Sequence, residues 1–266
     1  MKPISDTAFC CCGIRMDDAS SSASVGQDVL AHRLMDARGL AIYQGFEQER
    51  RAAENIVARH RIIDGYLCSR LASSPGVLIV SIGSGFETRA FRLPGRWVEV
   101  DEPQVIAHKN ERLPVSECPH ELERIAIDFS EETLTERLSS VATDEPVIVL
   151  VEGVFLYLGS EQISDMLAQL KALFPRHTLV GDLVSAGFVR RYSQSFDDRI
   201  RQLGASYQVE DEPLRPFQQS GYRIASSTSV VAGAAGFRGS RITPWILRVL
   251  QPTLVNGYQV HVLEHT

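Results

Sequence analysis

Apolar positions along the chain fall into two rhythms. Val77, Leu78, Ile79, Val80 and Ile82 form a short run rich in β-branched residues, with Pro75 and Gly76 before it and Gly83 and Gly85 after it, which predicts a buried parallel strand ending in a glycine loop. Comparable runs predict strands at Trp97–Val100, Leu122–Ile127, Val147–Val151 and Thr178–Val180. Segments between them carry helical spacing: Pro103–Arg112, Glu131–Leu138 with acids at its dipole-positive end, Ser160–Phe174 with Ser160 as cap, and Phe188–Leu203. Ahead of the first strand, Gln27–Ala37 and Gly45–Leu71 predict helices, the second with Ile56, Ile63 and Leu67 on one face, and both are expected to cover an edge of the sheet. Strand and helix in alternation predict an α/β, doubly wound, mostly parallel sheet.

The ends of the chain read differently. Up to about Ser24 the pattern is irregular and closes in Ala19–Ser24, ASSSAS, a flexible loop or lid. Tyr222–Ser226 and Gln259–Leu263 predict strands, Pro244–Val249 a short helix or turn around Trp245, and Gly233–Gly239 a mobile loop. Asn256-Gly257 is a tight-turn signal, so a closing antiparallel hairpin is expected. The organisation predicted is one compact unit, with residues 1–72 as N-terminal lid and helical cover and 73–266 as the sheet domain.

Five predicted strands end in Gly83, Asp101, Asp128, Glu152 and Asp182. In a parallel sheet those ends share one edge, so a glycine turn and four acids converge on a single crevice, as suits a ligand with hydroxyls and a positive centre. A dinucleotide loop needs a third glycine where this chain has Phe86, Glu87 and Thr88, and an acid at Glu87 repels phosphate. S-adenosylmethionine, which has a sulfonium and no phosphate, fits better. The plainer alternatives are an ordinary strand-to-helix turn and acids that cap helices. A nicotinamide (NAD)-dependent oxidoreductase and a non-catalytic nucleoside-binding protein would use the same loop and Asp101.

Composition narrows the partners. The 266 residues are 44% apolar with a formal net charge of -6, which supports one large core and argues against a general nucleic-acid or anionic-membrane binder. The longest apolar run, Val147–Leu158, is broken by Glu152 and is too short to span a bilayer. The opening residues lack the apolar core of a signal peptide, and five cysteines with Cys10, Cys11 and Cys12 consecutive make a poor disulfide framework, so a cytoplasmic, reduced protein is expected. Three consecutive thiols do not aim at one ion, so the triplet reads as apolar packing and no metal is expected.

Several spaced stretches carry a resemblance: IGSGFETRAFRL from Ile82, VEVDEPQVIAHK from Val98, VIVLVEGVFLYLGSEQ from Val147, CCGIR at Cys11–Arg15 and ARHRIID from Ala58. Together they resemble the leucine carboxyl methyltransferase family over roughly residues 9–175, in particular its bacterial polyketide-type O-methyltransferases. The resemblance implies a Rossmann-like class I methyltransferase fold and S-adenosyl-L-methionine as cofactor. It also implies roles: Arg59, and less directly Arg15, on the methionyl carboxylate; Gly83 and Gly85 beneath the methionine; Asp101 on both ribose hydroxyls; Asp128 with Phe129 on the adenine; Glu152 near the amino group and sulfonium; and Tyr157 facing the substrate. Glu87 departs from the aspartate usual in the family.

The reaction implied is carboxyl methylation of a small molecule. A carboxylate, with a pKa of about 4, needs no base, whereas a phenol at about 10 does. No histidine sits at a predicted strand end, although His177 precedes one, so a carboxylate is expected over a phenol or nitrogen acceptor. Arg190 and Arg191 are read as a solvated helix face rather than a substrate clamp.

Overall fold

The computed structural model describes residues 2–237, 239 and 251–265. The strands are β1 (Leu78–Ile82), β2 (Arg96–Asp101), β3 (Glu121–Ala126), β4 (Val147–Val151), β5 (His177–Val184), β6 (Tyr222–Ser229) and β7 (Tyr258–His265). They form one sheet in the order β3-β2-β1-β4-β5-β7-β6. The first five are parallel, and β7 runs antiparallel to both β5 and β6. The order reverses at β1, whose neighbours are β2 and β4, and a crevice opens at such a switch point.

Alternation along the strands sends neighbouring residues to opposite faces. Val80, Val98 and Val149 face one layer, made by α7 (Leu134–Leu138), α8 (Ser160–Leu173) and α11 (Arg215–Gln219), with Leu138, Leu167, Leu170 and Phe217 wholly buried. Ile79, Trp97 and Ile148 face the other, made by α4 (Arg50–Ser73), α5 (Arg89–Arg92) and α12 (Val230–Phe237), with Ile63, Leu67 and Val230 buried. Each such side chain contributes about 1.5–3 kcal/mol. Helix α4 therefore covers a face of the sheet, not an edge; β3 and β6 are the edges.

The third cluster departs most from the sequence expectation. Pro3–Ser20 is not irregular but an 18-residue helix, α1, followed by α2 (Ala31–Leu34) and α3 (Ala37–Gln44) in place of one helix over Gln27–Ala37. Phe9, Cys10, Cys12 and Ile14 of α1 are buried with Tyr43, Phe86 and Val105, so α1 is apolar on several sides and shows no single stripe. Gly13 lies against the Tyr43 ring, where a Cβ would collide, so the α1–α3 approach depends on glycine.

Other differences are local. The acidic-headed helix starts at Leu134, where Thr133 and Glu136 form a capping box, and not at Glu131. Gly159, not Ser160, caps α8, with Gln162 closing back on it. The predicted helix Phe188–Leu203 divides at Ser193 into α9 (Ala186–Tyr192) and α10 (Gln194–Gln202). Strand β5 continues past Val180 because β7 pairs with it along Thr178–Val184, which puts Asp182 inside the strand. Gly233 to Phe237 lies in α12 and is no loop. Gly257 ends the helix Pro252–Asn256 with φ -79°, so Asn256-Gly257 is a helix end and no hairpin turn, although β6 and β7 do pair antiparallel. The stretch Pro244–Val249 lies outside the described residues. Among the described residues no helix is long and apolar enough to cross a membrane.

Candidate active site

A cleft of about 620 Å3 opens at the carboxyl ends of β1, β2 and β4, between them and α1. Its floor begins with Gly83 and Gly85, at φ 64° and 49° in the left-handed region that glycine tolerates. A Cβ on Gly83 would also strike the Val154 side chain. Gly83→Ala is expected to destabilise the protein by about 1–3 kcal/mol in urea unfolding; wild-type stability would show that the turn is not under this constraint.

Asp101 closes β2 beneath the glycine loop. Its carboxylate accepts from the Gly85 amide at 2.6 Å and the Glu102 amide at 2.7 Å. Burial dominates, and its pKa is pushed up to about 6 despite those bonds.

Beside the glycine loop lies a buried ionic lattice. Arg59 of α4 donates through Nε to Glu152 at 2.9 Å and through Nη1 to Asp182 and the Tyr258 hydroxyl, each at 3.0 Å. Arg89, wholly buried, reaches Glu152 at 2.6 Å, Asp64 at 2.6 Å, His60 Nδ1 at 2.7 Å, and Glu87. Glu87 also accepts from the Ser81 hydroxyl, so the glutamate is a buried member of the lattice. Arg92 pairs with Asp64 at 2.9 Å, and Arg15 with Asp28 at 2.8 Å and the Phe86 carbonyl at 2.8 Å.

Within this lattice four arginines (15, 59, 89 and 92) meet five carboxylates (28, 64, 87, 152 and 182). Burial alone would raise the Glu152 carboxyl, but Arg89 and Arg59 overcome it and hold the group well below the usual range. His60 is pushed down by burial and by Arg89, so it stays neutral. The lattice thus carries one net negative charge at low dielectric, where an unpaired charge is costly.

Eight of the nine residues singled out above line the cleft: Arg15, Arg59, Gly83, Gly85, Asp101, Phe129, Glu152 and Tyr157. Asp128 does not. Its half-exposed carboxylate receives Lys2 at 2.6 Å and the Ser130 amide at 3.0 Å, and with Lys2 the foremost cause its pKa falls to about 2. Lys2 also meets Glu102 at 3.0 Å, tying the start of α1 across the rim. Lys2→Ala should speed amide exchange in the first two turns of α1 with little change in melting temperature; unchanged exchange would refute that tie.

Tyr157 packs against Tyr207 with ring centroids 5.3 Å apart, and both phenols are pushed up by burial. Tyr207, Tyr258, Asp64, His60 and Arg89 were not singled out from sequence. The available signal was Arg89 and Arg92 one helical turn apart, opposite Asp64 and His60 at helical spacing in α4. Arg190 is exposed and pairs with Asp211 at 3.0 Å, and Arg191 is exposed, as a solvated face requires.

A sequence model of the leucine carboxyl methyltransferase family matches residues 14–171, more than half of the chain. The chain belongs to that family. An S-adenosyl-L-methionine-dependent methyltransferase so named from Parafrankia sp. (strain EAN1pec) is 32% identical over 126 residues, 44% of this chain and 40% of that protein. The tetracenomycin polyketide synthesis O-methyltransferase TcmP of Streptomyces glaucescens is 25% identical over 158 residues, 57% of this chain and 55% of TcmP. The chain spans about half the length of the curated relatives it matches. A crystal structure of a Thermobifida fusca protein described as a methyltransferase superposes with TM-score 0.60 at 13% identity, over 92% of this chain and 95% of that one, and supports the class I Rossmann-like fold.

The family's cofactor is S-adenosylmethionine, and the residues present fit it. That molecule carries a sulfonium, an ammonium and a carboxylate, one net positive charge, against a lattice with one net negative charge. Gly83 and Gly85 leave room for close approach, and the partly ionised Asp101 is placed to accept from hydroxyls.

Proposed function

We propose that this chain is an S-adenosylmethionine-dependent O-methyltransferase acting on a small molecule, with a carboxylate as the preferred acceptor. The observation that carries the reading is the convergence of Gly83, Gly85, Asp101, Arg59 and Glu152 on one cleft in a member of this family. Likeness to the O-methyltransferase TcmP supports oxygen as the receiving atom.

The bound cofactor supplies an electrophilic methyl group on sulfonium. Arg59 and Arg15 would hold its carboxylate end, Glu152 would serve its ammonium, Asp101 would accept from the ribose hydroxyls, and Phe129, half exposed at the rim, would pack on the base. Asp128, engaged by Lys2, would have to exchange that partner to serve the adenine amino group. Helix α1, with Tyr157 and Tyr207, excludes water, so that alignment does most of the work.

The acceptor follows from the bases available. Tyr157, Tyr207 and Tyr258 are held protonated and line the cleft as donors, and no histidine lines it among the described residues. An acceptor ionised at neutral pH needs no base, which favours a carboxylate over a phenol.

Incubation with methyl-labelled S-adenosylmethionine and cell extract, followed by mild base, tests this. Labelled methanol is expected from methyl esters. Base-stable label would overturn the carboxylate acceptor while keeping methyl transfer, and point to phenol or nitrogen acceptors.

A further inference from the structure

Of the four acids expected at strand ends, Asp182 alone has no direct part in binding the cofactor. It is wholly buried within β5 and does not line the cleft. Strand alternation sends it to the face covered by α4, together with Val180 and Val184.

Its carboxylate is shared by three donors from three different elements. Oδ1 accepts from the Gly153 amide at 2.6 Å, in the turn that follows β4. Oδ2 accepts from Arg59 Nη1 at 3.0 Å and from the Tyr258 hydroxyl at 3.3 Å. That hydroxyl accepts in turn from the same Nη1 at 3.0 Å, so Arg59, Asp182 and Tyr258 close a triangle. Tyr258 reaches it because β7 pairs antiparallel with β5 and sets Tyr258 opposite Val184. Gly153 holds φ 70°, and a Cβ on it would stand 3.3 Å from both Nη atoms of Arg59, so the turn lies directly against the guanidinium.

Arg59 is thereby fixed at two of its three nitrogens. Glu152 takes Nε, and Asp182 with Tyr258 takes Nη1. Among the described residues no hydrogen bond takes Nη2, and Arg59 lines the cleft, so Nη2 is the donor left for a ligand. The carboxylate that aims the guanidinium also holds the turn beside Glu152. Cation and anion are thus set at one spacing by a residue behind the cleft wall.

We propose that Asp182, assisted by Tyr258, is a positioning residue that selects for an intact amino-acid tail on the nucleoside, by holding Arg59 Nη2 toward the ligand's carboxylate and Glu152 toward its ammonium. The proposal rests on Arg59 and Glu152 taking the two charged groups of that tail. Asp182→Asn leaves one acceptor oxygen for the Gly153 and Arg59 donors and turns an amide N–H on the other, which releases the guanidinium. Tyr258→Phe removes one acceptor of Nη1 and changes no charge, because burial keeps the phenol neutral.

Two measurements on the full-length chain test it. Nitrogen-15 NMR of the free protein follows the two Nη signals of Arg59, assigned by their loss in Arg59→Lys, with the buried Arg89 as internal comparison. Expected are two resolved signals in the wild type, averaged to one in Asp182→Asn while Arg89 stays resolved. Calorimetry then compares S-adenosylmethionine with its decarboxylated form, which lacks only the carboxylate. The wild type should prefer the intact cofactor about tenfold or more, and Tyr258→Phe should cut that preference about threefold or more with little change for the decarboxylated ligand. Tyr258→Phe decides the matter even if Asp182→Asn does not fold. Arg59 signals that stay resolved in Asp182→Asn, or equal weakening of both ligands in Tyr258→Phe, overturn the proposal, as does a wild type that binds both ligands alike. A wild type that binds neither overturns the cofactor reading and this proposal with it, an outcome told apart because it is read without the variants.

Discussion

Arg89→Gln is expected to weaken S-adenosylhomocysteine binding about 100-fold or more, measured by calorimetry. Arg89 touches no part of the cleft surface and is wholly buried, yet it joins Glu152, Glu87, Asp64 and His60. Removing one partner from a buried pair leaves an uncompensated charge and costs about 3–5 kcal/mol. Part of that loss falls on folding, so the melting temperature should drop as well. Lysine keeps the charge but cannot serve four partners from one nitrogen, so Arg89→Lys should fall between wild type and glutamine.

The pH dependence separates positioning from mere stability. In the wild type the Glu152 carboxyl is depressed, so its contribution to stability is present above the unfolded value and is lost only as pH falls through the lower folded value. Without Arg89, burial acts on Glu152 with less opposition and its pKa rises. The affinity deficit of Arg89→Gln should therefore grow toward acid. A deficit constant with pH would assign Arg89 to the fold alone.

The second large effect is at Asp101. Hydrogen bonds from two ribose hydroxyls to a charged acceptor contribute about 1.5–3 kcal/mol each, so Asp101→Asn should lose about 100-fold or more in affinity. Burial raises this carboxyl to about 6, so in the free protein between about pH 4 and 6 the folded state binds more protons than the unfolded, and this group lowers stability as pH rises through that window. A ligand that needs the carboxylate reverses the preference. Binding near pH 6 should release a proton, visible in buffers of different ionisation enthalpy, and affinity should rise with pH up to about 7 and then level off. Asp101→Asn should abolish the released proton.

Much of this arrangement was legible in the chain itself. The four inner parallel strands, β1, β2, β4 and β5, announce themselves because each is buried on both faces, as in Val147–Val151, which has no polar interruption, whereas the edge strand β3 exposes Glu121 and Glu123. The acids at Asp101 and Glu152 follow from strand ends and edge geometry alone. Helix α1 escaped because burial under α3 and over the cleft removes the one-sided stripe that marks a helix, and three cysteines with Gly13 give little local preference. Arg89 and His60 escaped for a related reason. A charged residue reads as solvent-facing until its partners are known, and these come from α4, the β1 loop and the β4 end, far apart in sequence. Asp128 was expected to close the third strand and instead follows the end of β3 by two residues, and its engagement by Lys2 depends on where α1 lies.

The central claim is that the glycine loop, Asp101 and the Arg59–Glu152 lattice together form a pocket for a cationic, phosphate-free nucleoside. Titration calorimetry of the full-length chain with S-adenosylmethionine, S-adenosylhomocysteine and NAD tests it most directly. The account predicts saturable one-to-one binding of the first two, weakened about 100-fold or more in Asp101→Asn, and no binding of NAD. Absence of heat with both sulfur nucleosides, or saturable binding of NAD in their place, would contradict it.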